Sequence, residues 1–319
     1  TMRKWAGQRI GLATSSDLYN WEIYDANPVL IPDGRWFITF NQDGSGSNHP
    51  VWKDIVDCRD MLVIKDKNGN GYYGNFISSA DSQGLNSPTT VVGIAYSNDL
   101  FAWEQRGIAY APTGVCMPEM IDVFEHEGTW YMTLTTGKNN GSLTNFSDKY
   151  ISRAMVYAKS NTPEGPFIED FSDNVVIGGA INSGYSMRSV EYKGKRRMMY
   201  VDVNDGPSVL SLPKDIGVNE KGQLRLFYPK DLLTALLIRE IEPTIAAQPN
   251  NTFGWWPSHG GIWKYENNIF KCSTDPESWQ GLLLDGTAKN MELNFRVKSS
   301  TCDSYGFILG KITENTSLN

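Results

Sequence analysis

The chain is poor in the residues that hold metals and make cross-links. Its three histidines, His49, His126 and His259, stand in no metal-ligand spacing. Its four cysteines, Cys58, Cys116, Cys272 and Cys302, include no Cys-x-x-Cys pair. Zinc-ribbon and thioredoxin-like readings therefore have no support, and no metal or cofactor is expected. No apolar run reaches the ~18 residues of a membrane-spanning helix, so no membrane partner is expected. No signal-peptide pattern stands at the N-terminus. Positive charge is in deficit, with 29 Lys and Arg against 36 Asp and Glu and a net charge of −7. That balance argues against a nucleic-acid partner and suits a neutral substrate.

Aromatic residues are plentiful, with 10 Trp and 15 Tyr, and suit either β-sheet packing or sugar stacking. The clearest pattern is internal repetition. The run Gly11 to Glu22 (GLATSSDLYNWE) recurs as Gly93 to Glu104 (GIAYSNDLFAWE). A looser copy runs from Met155 to Ser160 and ends at Gly165, Pro166 and Phe167. Alternating apolar residues make each copy a strand, and Ser-x-Asp-Leu makes the turn after it. Asp17 and Asp99 are read as caps of these turns. The Trp or Phe beyond the turn is expected to pack back between sheets. Lys65 to Gly71 lacks the spaced carboxylates of a calcium loop and reads as a hairpin turn.

Units of roughly 60 to 80 residues built from antiparallel strands predict propeller blades. Residues 1–30 supply only the outer strands of one blade. Residues 55–110 make a second, 118–170 a third, and a fourth begins near Tyr185 and runs through Leu212. The segment 229–242 is read as a short helix or a connecting strand. The fold class expected is all-β: a five-bladed β-propeller, incomplete in this chain, over 1–242, a linker over 243–257, and the start of a β-sandwich over 258–319. An open propeller exposes a sheet edge, so an upstream segment is expected to complete it.

Two acidic segments stand out within the repeats. One contains Arg59 and Asp60, the other Glu119 and Asp122, and each precedes an apolar run, a Gly turn and an aromatic strand. Carboxylates at one place in two copies of a repeat converge on an axis. Such convergence suits glycoside chemistry, which commonly places two carboxyl groups about one bond.

In this order the segments resemble glycoside hydrolase family 32, the invertase, inulinase and levanase family. Gln8 through Asn27, Pro28 and Val29 is similar to the strand before that family's Arg-Asp-Pro motif, and Arg59-Asp60 to the motif itself. Glu119-Met120-Ile121-Asp122 is similar to its Glu-Cys-Pro-Asp, and Tyr185 to Arg197 to its Tyr-Ala-Pro segment and hairpin. Ser211 to Ile216, with Gly222 to Leu224 and Leu237 to Arg239, resembles its Ser-Leu-Pro-Arg-Glu-Leu signature. The shaping residues depart: Met61 stands for Pro, Met120 and Ile121 for Cys-Pro, and Ser186 and Met187 for Ala-Pro.

The resemblance implies retaining hydrolysis of sucrose or a fructan through a covalent fructosyl intermediate. It makes Glu119 the general acid/base and Asp60 the transition-state stabiliser. Arg59 orients the carboxylates. Asp122 binds or positions Arg59 or sugar, or is structural. Tyr185 stands beside the acid/base, or is a core tyrosine. The family's nucleophilic aspartate has no counterpart here and is expected on the upstream segment, which leaves this chain alone inactive. A secreted or periplasmic location is expected. The other readings are an arabinan- or xylan-active enzyme like those of family 43 and a non-catalytic carbohydrate-binding module.

Overall fold

The computed structural model describes residues 7–44, 46–49, 56–81, 89–112, 118–136, 154–169, 174–178, 184–202 and 208–236, with strands at 244–247, 262–266, 269–273 and 283–285. The chain divides into two compact units, Thr1–Ala235 and Leu236–Asn319.

The first unit is a succession of antiparallel sheets. A small hairpin pairs β1 (Ala13–Thr14) with β2 (Glu22–Ile23). The next sheet runs in the order β3 (Cys58–Lys65), β4 (Tyr72–Ala80), β5 (Thr89–Ser97) and β6 (Glu104–Tyr110). The third contains β7 (Glu119–His126), β8 (Thr129–Thr136), β9 (Ala154–Ser160) and β10 (Ile168–Glu169), with β11 (Val175–Gly178) also paired to β9. The fourth contains β12 (Tyr185–Tyr192), β13 (Lys195–Asp202), β14 (Val209–Leu210), β15 (Lys214–Val218) and β16 (Leu224–Phe227). This sheet therefore extends beyond Leu212, where the sequence alone ended its blade. Helix α1 (Lys230–Leu236) follows, so the front of 229–242 is helical.

The sheets pack face to face because residue parity sorts their side chains between two cores. On β9, Ala154, Val156 and Ala158 enter one apolar cluster with Val92 and Ile94 of β5. Met155 and Tyr157 enter another with Met187 and Met198 of the fourth sheet. A strand buried on both faces reads as a continuous apolar run, as β9 does, and not as a clean alternation. Each such Leu, Val or Met contributes about 1.5–3 kcal/mol by leaving water.

The repeat is visible atom by atom at its turns. Ser15 Oγ accepts from the Asp17 and Leu18 amides, and Asp17 Oδ1 from those of Tyr19 and Asn20. Ser97 and Asp99 repeat every one of these bonds toward Leu100, Phe101 and Ala102. The Ala102 and Phe101 amides hold the Asp99 carboxyl below its ordinary range. Leu18 and Leu100 share left-handed backbone, at φ 66° and 72°.

The tryptophans after the two turns differ. Trp103 packs in the core of the second sheet, over Gly74. A Cβ on Gly74 would meet the Trp103 ring at 2.6 Å and run into Met61. Gly74→Ala should therefore cost about 1–3 kcal/mol through overpacking, read as a lower urea midpoint. Trp21 is 56% exposed, contrary to the expectation that it packs between sheets. Among the described residues, β1 and β2 have no inner strands to cover that face, and Leu18, Tyr19 and Ile23 are exposed beside it.

In the second unit, β17 (Thr244–Ala247) pairs with β20 (Leu283–Asp285), and β18 (Ile262–Glu266) with β19 (Ile269–Ser273). Four residues of the segment read as a linker are thus a strand. Residues 286–319 of the expected β-sandwich lie outside the described residues.

Candidate active site

The first strands of the three larger sheets lie side by side, β3 against β7 and β7 against β12. Each carries a bulge at the same place. Pairing steps from Arg59↔Ile77 to Leu62↔Asn75, from Glu119↔Thr135 to Asp122↔Thr133, and from Tyr185↔Val201 to Arg188↔Met199. In every case two residues on the first strand face one on its partner. The residue after the first member is left-handed each time: Asp60 at φ 53°, Met120 at φ 51° and Ser186 at φ 55°. None of the three is glycine, so each holds a conformation that costs free energy and that its sheet must enforce. Bulges of this kind re-aim side chains.

This register corrects the simple repeat alignment. Asp60 and Glu119 are not equivalent positions. The counterparts of Glu119 are Arg59 and Tyr185, and the counterpart of Asp60 is Met120.

The bulges bring four of the five expected residues together. Arg59 Nη1 donates to Asp60 Oδ2 at 3.1 Å, and Arg59 Nη2 lies 3.6 Å from Glu119 Oε1. The Tyr185 hydroxyl donates to Glu119 Oε2 at 3.3 Å. The Met120 amide donates to Asp60 Oδ2 at 3.2 Å and ties the two bulges together. The side chains of Arg59 and Asp60 are each 23% exposed and that of Glu119 is 31%, so solvent reaches all three. One guanidinium thus stands between two carboxylates, a geometry suited to its rigid fork.

Asp122 sits apart from this group. It is 4% exposed, and its Oδ2 accepts the Ser189 amide of β12 at 2.8 Å. Burial raises its carboxyl above the ordinary range, against the Ser189 hydrogen bonds and the Arg188 charge, which lower it. Arg188 donates to the Ile121 carbonyl from the same strand as Ser189. Asp122 therefore joins β7 to β12.

Two features escaped the sequence reading. Arg188 takes the place in the third bulge that Asp122 takes in the second, and aligning Tyr185 to Arg188 with Glu119 to Asp122 would have found it. Asp57 stands two residues before Arg59, immediately ahead of β3. Its Oδ2 accepts the Ser79 hydroxyl at 2.6 Å, so a further carboxylate stands at this end of β3.

No family model matches the sequence, and no curated protein does. Among solved structures, the chain is similar to a Bombyx mori GH32 beta-fructofuranosidase, with a TM-score of 0.52 and 17% identity over 73% of this chain and 46% of that one. The fold is propeller-like. The chain spans less than half the length of that enzyme. A mutant of the same enzyme in complex with sucrose gives a TM-score of 0.49 at 17% identity, over 70% of this chain and 44% of that one. A B. subtilis levansucrase mutant gives 0.44 at 14% identity, over 69% and 60%.

Proposed function

We propose that this chain forms part of the catalytic domain of a retaining glycoside hydrolase that releases fructose from sucrose or a fructan. The observation that carries the reading is the convergence of Arg59, Asp60, Glu119 and Tyr185 on adjacent bulged strands. The likeness in fold to a beta-fructofuranosidase supports it.

Glu119 is the general acid/base. Its carboxyl faces solvent, where a glycosidic oxygen can approach, and Tyr185 fixes one of its oxygens. Asp60 accepts hydrogen bonds from fructose hydroxyls as the ring gains oxocarbenium character. Its Oδ2 is already held by Arg59 and Met120, so its orientation is set before substrate arrives. Arg59 is a positioning residue that spaces the two acids. Asp122 acts through the strands it holds together and not by contact with sugar.

A retaining reaction also needs a nucleophilic carboxylate about 5–5.5 Å from the acid/base. We assign it to a polypeptide segment outside residues 1–319, which would also cover the exposed face of the β1–β2 hairpin. The setting proposed is secreted or periplasmic, where such sugars are met.

The test uses the 319-residue polypeptide with sucrose and with inulin. Sugar binding without fructose release is expected, and Arg59→Ala should weaken that binding about ten-fold, as loss of a charge-assisted contact does. Fructose release by the pure chain would overturn the assignment of the nucleophile. Binding of an arabino-oligosaccharide with neither sucrose nor inulin bound would overturn the substrate assignment.

A further inference from the structure

A cleft lies toward the far ends of the same strands. Asp66 follows β3 and Glu125 lies near the end of β7, each six residues beyond Asp60 or Glu119; with one residue taken up by the bulge, that is an advance of about 17 Å at strand rise. There the turn after β3, the end of β7, the start of β8 and the turn after β9 border an open cleft of about 290 Å³. That volume is near the lower end for small-molecule sites and suits a ligand of one sugar residue.

Two aromatic side chains line it, Tyr73 from the second sheet and Trp130 from the third. Both pack against the apolar cluster between these sheets while remaining partly exposed. Tyr73 is further fixed by an edge contact with Tyr96, at 5.1 Å between ring centres. The rings are therefore held in place before any ligand binds, which lowers the ordering cost of binding.

The rim is polar and carries both kinds of hydrogen-bonding group. Lys67 Nζ donates to Glu125 Oε2 at 2.8 Å and joins the two sheets across the cleft. Asp66 accepts the Asn68 amide and the Tyr96 hydroxyl, which orients its carboxylate. An ionised carboxylate has about four acceptor sites, so both acids keep capacity for a ligand. Asn161 adds an exposed side-chain amide. Two carboxylates and one ammonium leave the rim with a net charge of −1, which disfavours an anion.

We propose that this cleft is a second carbohydrate site, which takes one neutral sugar residue against Trp130 and Tyr73 with its hydroxyls bonded to Asp66, Lys67, Glu125 and Asn161. The choice of a sugar rests on the reading of the acid cluster as a glycosidase site. Aromatic faces present apolar surface to the C–H face of a sugar, and charged or amide groups at the edge take up its hydroxyls. Bound at both sites, a long polysaccharide would gain avidity that sucrose cannot.

The experiment labels the whole chain with 5-fluorotryptophan and follows the Trp130 fluorine resonance, assigned by its loss in Trp130→Phe. The probes are sucrose, a soluble inulin fraction, an arabino-oligosaccharide and maltotriose. At least one of them should shift the Trp130 resonance. Lys67→Ala and Asn161→Ala, both at exposed positions, should each weaken that response about ten-fold. Arg59→Ala should leave it unchanged. The proposal is overturned if none of the four sugars moves the resonance, or if the shift is lost in Arg59→Ala yet kept in Lys67→Ala and Asn161→Ala. Sugar binding that depends on Arg59 while Trp130 stays silent would refute the second site alone. A Trp130 response without any Arg59-dependent binding would refute the acid-cluster reading alone.

Discussion

Glu119→Gln should lower fructose release by about 10²–10⁴-fold in a form of the protein that carries the nucleophilic segment, the range by which a positioned general acid/base accelerates reaction. Glutamine keeps the size of the side chain and can still accept from Tyr185, so the fold and sugar binding should survive. The loss should fall on kcat with KM little changed, because proton delivery acts in the transition state. A substrate with a good leaving group, such as an aryl fructoside, should recover much of the first step, since its departure needs no proton. Full activity of Glu119→Gln would remove this residue from catalysis. Equal impairment with both kinds of substrate would make its role positional.

Much of this arrangement was legible in the sequence because its local rules agree with its fold. The runs Gly11 to Glu22 and Gly93 to Glu104 share turn chemistry that depends on Ser, Asp and Leu at fixed offsets, and both turns form the same hydrogen bonds. Arg59, Asp60 and Glu119 were legible as a group, with Tyr185 either beside them or in the core. Their exact correspondence was not. A bulge adds one residue to a strand, and nothing in the composition of Arg59 to Leu62 or Glu119 to Asp122 announces it. Without bulges, residues three apart on a strand point to opposite faces. The extra residue returns Glu119 and Asp122 to one face, where Glu119 meets Tyr185 and Asp122 meets Ser189, both on β12. The acid motif thus divides into a solvent-facing acid, Glu119, and a buried tie between sheets, Asp122, the structural alternative that the sequence left open. Trp21 was misread for another reason. Its local sequence matches that of Trp103, but burial depends on Gly74 and its neighbours, which belong to other strands.

Asp122→Ala should destabilise the first unit by about 2–4 kcal/mol, because it strands the buried Ser189 amide and removes the anion beside Arg188. Asp122→Asn should cost less, since an amide oxygen can still accept from Ser189. The two substitutions also separate the effects of charge and hydrogen bonding through pH. The carboxyl of Asp122 is raised above its ordinary value of 3.8 by burial. The folded protein therefore binds its proton more tightly than the unfolded chain does. Between the ordinary value and the raised one, stability must fall as pH rises, and it levels off once both states are ionised. Asp122→Asn carries no such proton. Urea midpoints of wild type and Asp122→Asn, measured from pH 4 to pH 8, should show the wild-type advantage shrinking as pH rises. An advantage that grows with pH would mean that Ser189 and Arg188 outweigh burial and favour the anion. In that case Asp122 would be an ion-pair partner in the tie between β7 and β12, and the large loss expected in Asp122→Ala would be confined to neutral and higher pH.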